Sequence, residues 1–537
     1  MIKKISYGLV FLSFLICFVA NFLTFELHRD IVFFEYLARD LFLYNGEWKY
    51  WSIKAAPAFF PDVFFYLVGF KLGIPPNLNI LFVVLMQILL LLWAIYLILR
   101  KCTNFSKSSV VAVFISITSC FLLVDSRTNM WLWMNGNNDH YASLLGPFWC
   151  LYFILCFLST DKKKWLIALL VGLVVSSTST IVTHLTFTIP AILFICFELI
   201  CYKDRIIFRK KLLSILSVII SSVLIAYVLS ILIVPHSGLG TRVPLTWDSI
   251  AVSWLCFLGA LRLVFDLKDL YSLIPSIAFT VIFIFLSIKL FTVGNTIWAS
   301  DEKTINNSHF LLIFFFFVVP INVTGVILSG GFVDFWGLRY FAFPLALSMV
   351  VSLSLFGATI SERNIVYSLL VINVLSLVLS SIFVVHSRPE SFSQFIKNGV
   401  PGYAMPISAC LKEIESKGYV LDAGVGDFTY RAIELLSENK RYISIMSNNY
   451  PFYFLSTKGV FVDRKKYKWN KINWIILNKT NRPYWFGLDL NYAKQLPSAS
   501  IKYTCSAADA EIWYYANDEL DAFYRPYIEQ FLFYSSK

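Results

Sequence analysis

Apolar residues fall in runs of 17 to 22, separated by short polar stretches, from the N-terminus to about Phe383. A helix of that length crosses the hydrocarbon core of a bilayer. The pattern predicts spans at Ile5–Phe25 and near residues 79–99, 108–125, 142–160, 165–182, 185–200, 212–234, 271–290, 309–329, 340–358 and 365–385, about eleven in all. Two apolar stretches fit less well. Residues 54–73 are broken by Pro57, Pro61 and Asp62 and read as a re-entrant or interfacial segment. Residues 248–270 end in Arg262, Asp266, Lys268 and Asp269 and read as a helix lying on the outer membrane surface.

After His386 the long apolar runs stop and charges become frequent. Tyr442–Ile445 and Trp474–Leu477 read as strands, and Thr429–Glu438 as a helix. Residues 387–537 amount to one soluble α/β domain. The expected organisation is therefore a transmembrane part, 1–386, with external loops at 26–79, 125–141 and 235–270, followed by that domain.

Composition agrees: 58% of the 537 residues are hydrophobic and 15% charged, against about 25% charged in a soluble chain. This excludes soluble, fibrous and disordered classes. Basic residues sort the topology. Lys3/Lys4, Arg100/Lys101/Lys107, Lys162–Lys164, Lys203/Arg205/Arg209/Lys210/Lys211, Lys303 and Arg363 all fall in short segments that the span order places on one side. The positive-inside rule makes that side cytoplasmic, with the N-terminus there and the C-terminal domain extracytoplasmic. The net charge of +12 thus reports cytoplasmic loops and contact with anionic membrane lipids, not nucleic acid. Ile5–Phe25 lacks a small-residue cleavage site and reads as an uncleaved helix. Cys410 and Cys505 are the only cysteines of the C-terminal domain. An oxidising compartment permits a disulfide between them, although spacing alone says nothing of proximity.

Candidate chemistry gathers at the external side. Asp30, Glu35 and Asp40 follow the first span closely. A carboxylate held there can take the proton of an acceptor hydroxyl that attacks a membrane-bound donor; the plainer reading of Asp30 is a helix cap. Asp62 is a lone acid in an aromatic stretch, costly to bury without a partner. Asp139-His140 precede the fourth span beside tryptophans and amides suited to a sugar, or they simply cap that span. His184 sits in a Ser/Thr-rich turn. Arg339-Tyr340, after Gly330-Gly331 and Asp334, open a late span, where an arginine can clamp a lipid-linked phosphate or snorkel to headgroups. Val420–Gly426 (VLDAGVG) resembles the strand and glycine-rich turn of nucleotide-dependent methyltransferases, but Asp427-Phe428 replace the third glycine and no ribose-binding acid follows the next strand.

Taken together, the large first external loop acidic at its start, the polar second loop, the Arg339-Tyr340 pair and the distal soluble domain resemble the GT-C superfamily. Its members are membrane glycosyltransferases that use polyprenyl-phosphate sugars, among them protein mannosyltransferases and bacterial aminoarabinose transferases. The resemblance covers roughly residues 1–390. It implies a bacterial inner-membrane enzyme that moves a sugar from a polyprenyl-phosphate donor to a glycan, lipid or protein acceptor. Asp30 would act as base, assisted by Asp139 and His140, while Arg339, Asp62, Glu35, His184 and Tyr340 bind substrate. The superfamily allows a divalent cation, Mg or Mn, though no ligand set in this chain demands one. Two other classes stay open: a transporter or flippase of lipid-linked glycans, and a non-catalytic envelope-assembly protein. A transporter of this size is expected to carry an internal repeat, and none is visible.

Overall fold

A computed structural model of the chain describes residues 29–52, 57–103, 141–201, 206–233, 246–264, 277, 280–292, 307–330, 332, 335–356, 404–427, 430–431, 433–436, 441–452, 457–479 and 488–535. The spans expected at 5–25, 108–125 and 365–385 lie outside these residues.

The segment 26–79 folds largely as helix. Helix α1 (Arg29–Leu43) contains neither Gly nor Pro and buries Phe33, Phe34, Leu37 and Ala38 on neighbouring turns. It ends where Asn45 adopts a left-handed φ of 48°, which Asn tolerates, and the Gly46 N–H closes onto the Asp40 carbonyl at 2.7 Å. A buried turn at Phe59–Val63 leads into α2 (Phe64–Lys71). Helix α3 (Pro76–Cys102) starts on a proline, whose missing N–H has no helical partner at that position anyway.

The bundle continues with α4 (Ala142–Thr160), α5 (Lys164–Ser179), a π-turn at His184–Thr188 running into α6 (Ile189–Cys201), and α7 (Ile206–Ile233). Helices α8 (Trp247–Val264), α9 (Asn307–Leu328) and α10 (Ala342–Phe356) follow, with a shorter apolar helix at Thr280–Thr292. Among the described residues five helices are long and apolar enough to cross a membrane: Leu78–Cys102, Ala142–Thr160, His184–Cys201, Ile206–Ile233 and Asn307–Leu328. The chain is thus a polytopic, mostly helical membrane protein, and the observed helices track the hydrophobic runs. The 212–234 run starts earlier, at Ile206, because Ile206–Phe208 extend the same apolar helix.

The bundle has two chemically different ends. At one, the Asn307 amide donates to the Lys101 carbonyl (2.9 Å), Ser308 Oγ to the Ser354 carbonyl (3.4 Å) and Lys211 Nζ to the Leu158 carbonyl (3.0 Å). The end of α3, the start of α9, the end of α10, the end of α4 and the start of α7 therefore meet there, and Arg100, Lys101, Lys162–Lys164, Lys210 and Lys211 collect with them. The helix starts at Tyr141 and Ala342 and the segment 57–71 lie at the other end.

The C-terminal region is a five-stranded sheet: β1 (Ala423–Gly426), β2 (Arg441–Ser444), β3 (Ile472–Asn478), β4 (Ile501–Cys505) and β5 (Ala510–Tyr514), in the order β2-β1-β3-β5-β4. β1 is parallel to β2 and β3, and β5 is antiparallel to β3 and β4. Every residue of β3 is buried. Trp474 and Ile476 point to one core, with Ile407, Leu411 and Ile414 of α11 (Ala404–Ser416). Ile475 and Leu477 point to the other, with Leu520, Tyr524 and Ile528 of α12 (Glu519–Ser535). The first of these cores also takes in Phe33, Leu37, Trp51 and Tyr66, so helix α1 and the sheet share one hydrophobic interior. Cys410 in α11 and Cys505 at the end of β4 form a disulfide.

Both strand readings hold. The expected helix Thr429–Glu438 is seen as Ile433–Leu436, its flanks at 428–429, 432 and 437–440 lying outside the described residues. The glycine-rich turn is a correction. Gly424 and Gly426 lie inside β1, where a Cβ on Gly424 would come within 2.1 Å of the Trp474 ring and one on Gly426 within 2.4 Å of the Tyr442 hydroxyl. These glycines make room for the protein's own aromatic side chains.

Candidate active site

Asp30 stands in the first turn of α1, its side chain outside the described part of the structure. Asp139 and His140 lie outside the described residues; Tyr141, next to them, begins α4 and is fully buried. Arg339 sits in a 3-10 segment, Phe335–Phe341, and its side chain is likewise undescribed, while Tyr340 is half-buried.

Glu35 and Asp62 are brought into one buried web. Glu35, one turn and a half beyond Asp30, is 1% exposed. It accepts a bond from Asn79 Nδ2 at 3.0 Å and faces Arg39 at 3.5 Å. Asn79 also donates to the Tyr66 carbonyl at 3.1 Å. It reaches both because residue 69 is glycine: a Cβ there would fall 1.8 Å from the Asn79 oxygen. Asp62, 2% exposed, accepts a 2.7 Å bond from Gln87 Nε2. Burial raises the Glu35 carboxyl above its ordinary value, opposed by the Asn79 bond and the Arg39 charge. A carboxylate so raised is a better proton acceptor near neutral pH than a solvated one.

Asn79 and Gln87 were not among the sequence candidates. Their signal was present, since Gln87 is the one polar residue in ILFVVLMQILLLLW, and an uncompensated amide in an apolar span costs several kcal/mol. What the sequence could not give was the partner, since both acids come from the separate segment before α3.

The backbone of Arg339 and Tyr340, and His184, lie at the same end of the bundle on other elements. Phe343, four residues after Arg339, packs edge-on against Phe148 at 5.1 Å, two turns into α4 from Tyr141. The Arg339 segment is held from α8: the Phe332 N–H donates to Ser253 Oγ (2.8 Å), and that hydroxyl donates back to the Phe332 carbonyl (3.1 Å). Thr246 and Ser249 cap α8 reciprocally, each hydroxyl accepting the other's N–H at 3.2 and 3.1 Å. His184 is bonded within its own turn, Nδ1 lying 3.4 Å from Thr188 Oγ1. The backbone N–H groups of Ala58 and Phe60 bond to Ser179 at 2.9 and 3.0 Å, which ties the Asp62 segment to the end of α5.

A second polar cluster joins α1 to the sheet. Asp40, 3% exposed, accepts the Trp51 indole N–H at 2.5 Å and the Tyr467 hydroxyl. Burial raises its carboxyl, the two bonds opposing the shift. The Arg441 guanidinium lies 5.2 Å from the ring centres of both Tyr44 and Tyr467 and pairs with Glu434. Tyr36 donates to the Arg431 carbonyl while the Arg431 guanidinium covers its ring at 4.7 Å. These groups line a small cleft of about 50 Å³, partly open to solvent. Among the described residues no group of three or more His, Cys, Asp or Glu is placed to hold a metal ion.

No protein-family profile and no curated protein sequence matches the chain. Among solved structures it resembles ArnT from Cupriavidus metallidurans bound to undecaprenyl phosphate, with a TM-score of 0.54 at 12% identity over 94% of this chain and 97% of that one. The apo state of the same protein matches with a TM-score of 0.50 at 14% identity and the same coverage. At this identity the likeness is one of fold: the arrangement of helices with a C-terminal β/α region.

Proposed function

We propose that this protein is a membrane glycosyltransferase that takes its sugar from a polyprenyl-phosphate donor. The observation that carries the reading is the fold likeness to an undecaprenyl-phosphate-binding protein over 94% of the chain, helices and C-terminal region alike. Supporting it, Glu35, Asp62 and the backbone at Arg339 belong to the end of the bundle opposite Lys101, Lys162–Lys164 and Lys211, which suits a reaction on the extracytoplasmic side of a bacterial inner membrane. A disulfide in the C-terminal region fits the same compartment.

In the reaction the donor's prenyl tail lies in the apolar phase and its phosphate pairs with the Arg339 guanidinium through charge-assisted bonds. The hydroxyl of a glycan, lipid or protein acceptor attacks the anomeric carbon. The new C–O bond forms as the bond from that carbon to the phosphate oxygen breaks, and configuration inverts. Asp30 takes the hydroxyl proton, with Asp139 and His140 assisting. The leaving polyprenyl phosphate needs no protonation, so one carboxylate base suffices. Glu35 and Asp62, buried at this end and bonded to Asn79 and Gln87, hold α1 and the 57–71 segment in place around the substrate.

The test is turnover of a panel of polyprenyl-phosphate sugars by the purified protein, with Asp30→Asn and Arg339→Ala alongside. One donor is turned over, Asp30→Asn abolishes turnover while keeping donor binding, and Arg339→Ala loses binding. Folded protein that turns over no donor overturns the proposal. Activity untouched by both changes keeps the enzyme class and discards these two residues.

A further inference from the structure

Tyr36 and Asp40 are four residues apart and so share one side of α1, and Tyr44 lies just past the end of that helix, its N–H on the Arg39 carbonyl. That side is the one gripped by the C-terminal region: Tyr36 at the Arg431 carbonyl, Asp40 at the Tyr467 hydroxyl, Tyr44 against Arg441 and Tyr467. The next stretch of chain is gripped as well, through the Lys458 N–H on the Tyr50 carbonyl (2.9 Å) and Lys466 Nζ on the Asn45 carbonyl (2.8 Å).

Simple adhesion needs no buried acid, since apolar packing of the same shape holds surfaces together at lower desolvation cost. A carboxylate that takes one directional bond from an indole and another from a phenol does something packing does not: it fixes an axial position and a rotation. The chain folds closely around it. A Cβ on Gly46 would lie 2.0 Å from the Asp40 carboxylate, so the turn after α1 is shaped to that group.

We infer that Asp40 is a positioning residue. Locked by Tyr467 and Trp51, it sets where α1 stands and so aims Glu35 and Asp30, which ride on the same helix. The inference rests on the glycosyl-transfer reading above. Asp30 is ten residues from Asp40, about 15 Å along a helix, so a tilt of roughly 4° displaces it by about 1 Å. Displacements of that size cost on the order of 100-fold in rate when reacting groups must be aligned. The C-terminal region therefore serves the reaction from a distance.

The experiment compares wild type, Tyr467→Phe and Asp40→Asn as full-length purified proteins. Tyr467→Phe removes one oxygen and keeps the ring, so folding is little disturbed. The expected result is a fall in kcat of about tenfold or more, with donor KM within about twofold, the split expected when alignment rather than binding is lost. Hydrogen exchange should quicken in peptides covering 29–43 and stay unchanged in 472–478. Active wild type with kcat per folded molecule unaltered in both variants overturns the role of Asp40, as does unaltered exchange in 29–43. Wild type that turns over no donor overturns the transfer reading, and the purpose assigned to the lock falls with it.

Discussion

Breaking the Cys410–Cys505 bond should loosen the C-terminal region measurably. The two cysteines are 95 residues apart. By the chain-entropy argument a closed loop of that length confers about 4.7 kcal/mol, and native disulfides commonly deliver about 2–4. The bond also joins α11 to β4, the strand beside β5, in the same place where Lys417 lies 4.8 Å from the Tyr503 ring centre and Ile407 and Leu411 share a core with Ile512. For a region of this size about 2–4 kcal/mol corresponds to a drop of roughly 5–15 °C in midpoint. The perturbation is Cys410→Ser with Cys505→Ser, compared with wild type in the presence and absence of reductant. The assay is thermal unfolding followed by tryptophan fluorescence, since Trp469 and Trp474 are fully buried in this region. Wild type under reductant should approach the double variant, which should itself ignore reductant. A midpoint within about 2 °C of the parent refutes the loop argument. Ready alkylation of both cysteines in native, unreduced protein refutes the bond, and with it the support it lends to an oxidising compartment.

Ser253→Ala should leave the buried Phe332 N–H and carbonyl without their partner, a loss of about 1–3 kcal/mol per group that frees the Arg339 segment; donor KM rises about tenfold, and an unchanged KM would show that the segment is held by other contacts. The pH dependence of the α1 docking has a definite sign. Burial raises Glu35 from its ordinary 4.5, so its contribution to stability is complete below that value and is lost as pH rises through the raised one. Glu35→Gln lacks this loss, so its midpoint should gain on that of wild type as pH rises above that ordinary value; a difference that shrinks with rising pH would mean the carboxyl is stabilised in its charged form.

Much of the fold was legible because a bilayer imposes a simple rule. Every backbone group must be satisfied inside the segment, so an apolar run of sufficient length has little choice but helix. Ala142–Thr160 matches its run residue for residue, and among the described residues Lys101, Leu158 and Lys211 are bonded at one end of the bundle, where Arg100 and Lys162–Lys164 also fall. The strands at 441–444 and 472–478 followed from β-branched and aromatic runs bounded by polar turns. Local composition dictated these elements, and the sequence by itself determined them.

Tertiary structure decided what the polar residues are for. A carboxylate's role depends on which donors reach it, and those donors lie far away along the chain: Asn79 is 44 residues from Glu35, Gln87 is 25 from Asp62, and Tyr467 is 427 from Asp40. Hydropathy carries no information about such pairs. The same holds for Gly424 and Gly426, whose spacing suggests a cofactor turn until Trp474 and Tyr442 are seen to fill the space a side chain would need. Glu35 and Asp40, adjacent in sequence to the candidate base, end on different sides of one helix with different neighbours. One faces the membrane helices and the other the sheet, because at 100° per residue five positions turn a side chain through about 140°. That rotation, set by helix geometry and fixed by packing, separates an acid that ties α1 to the membrane helices from one that ties it to the sheet.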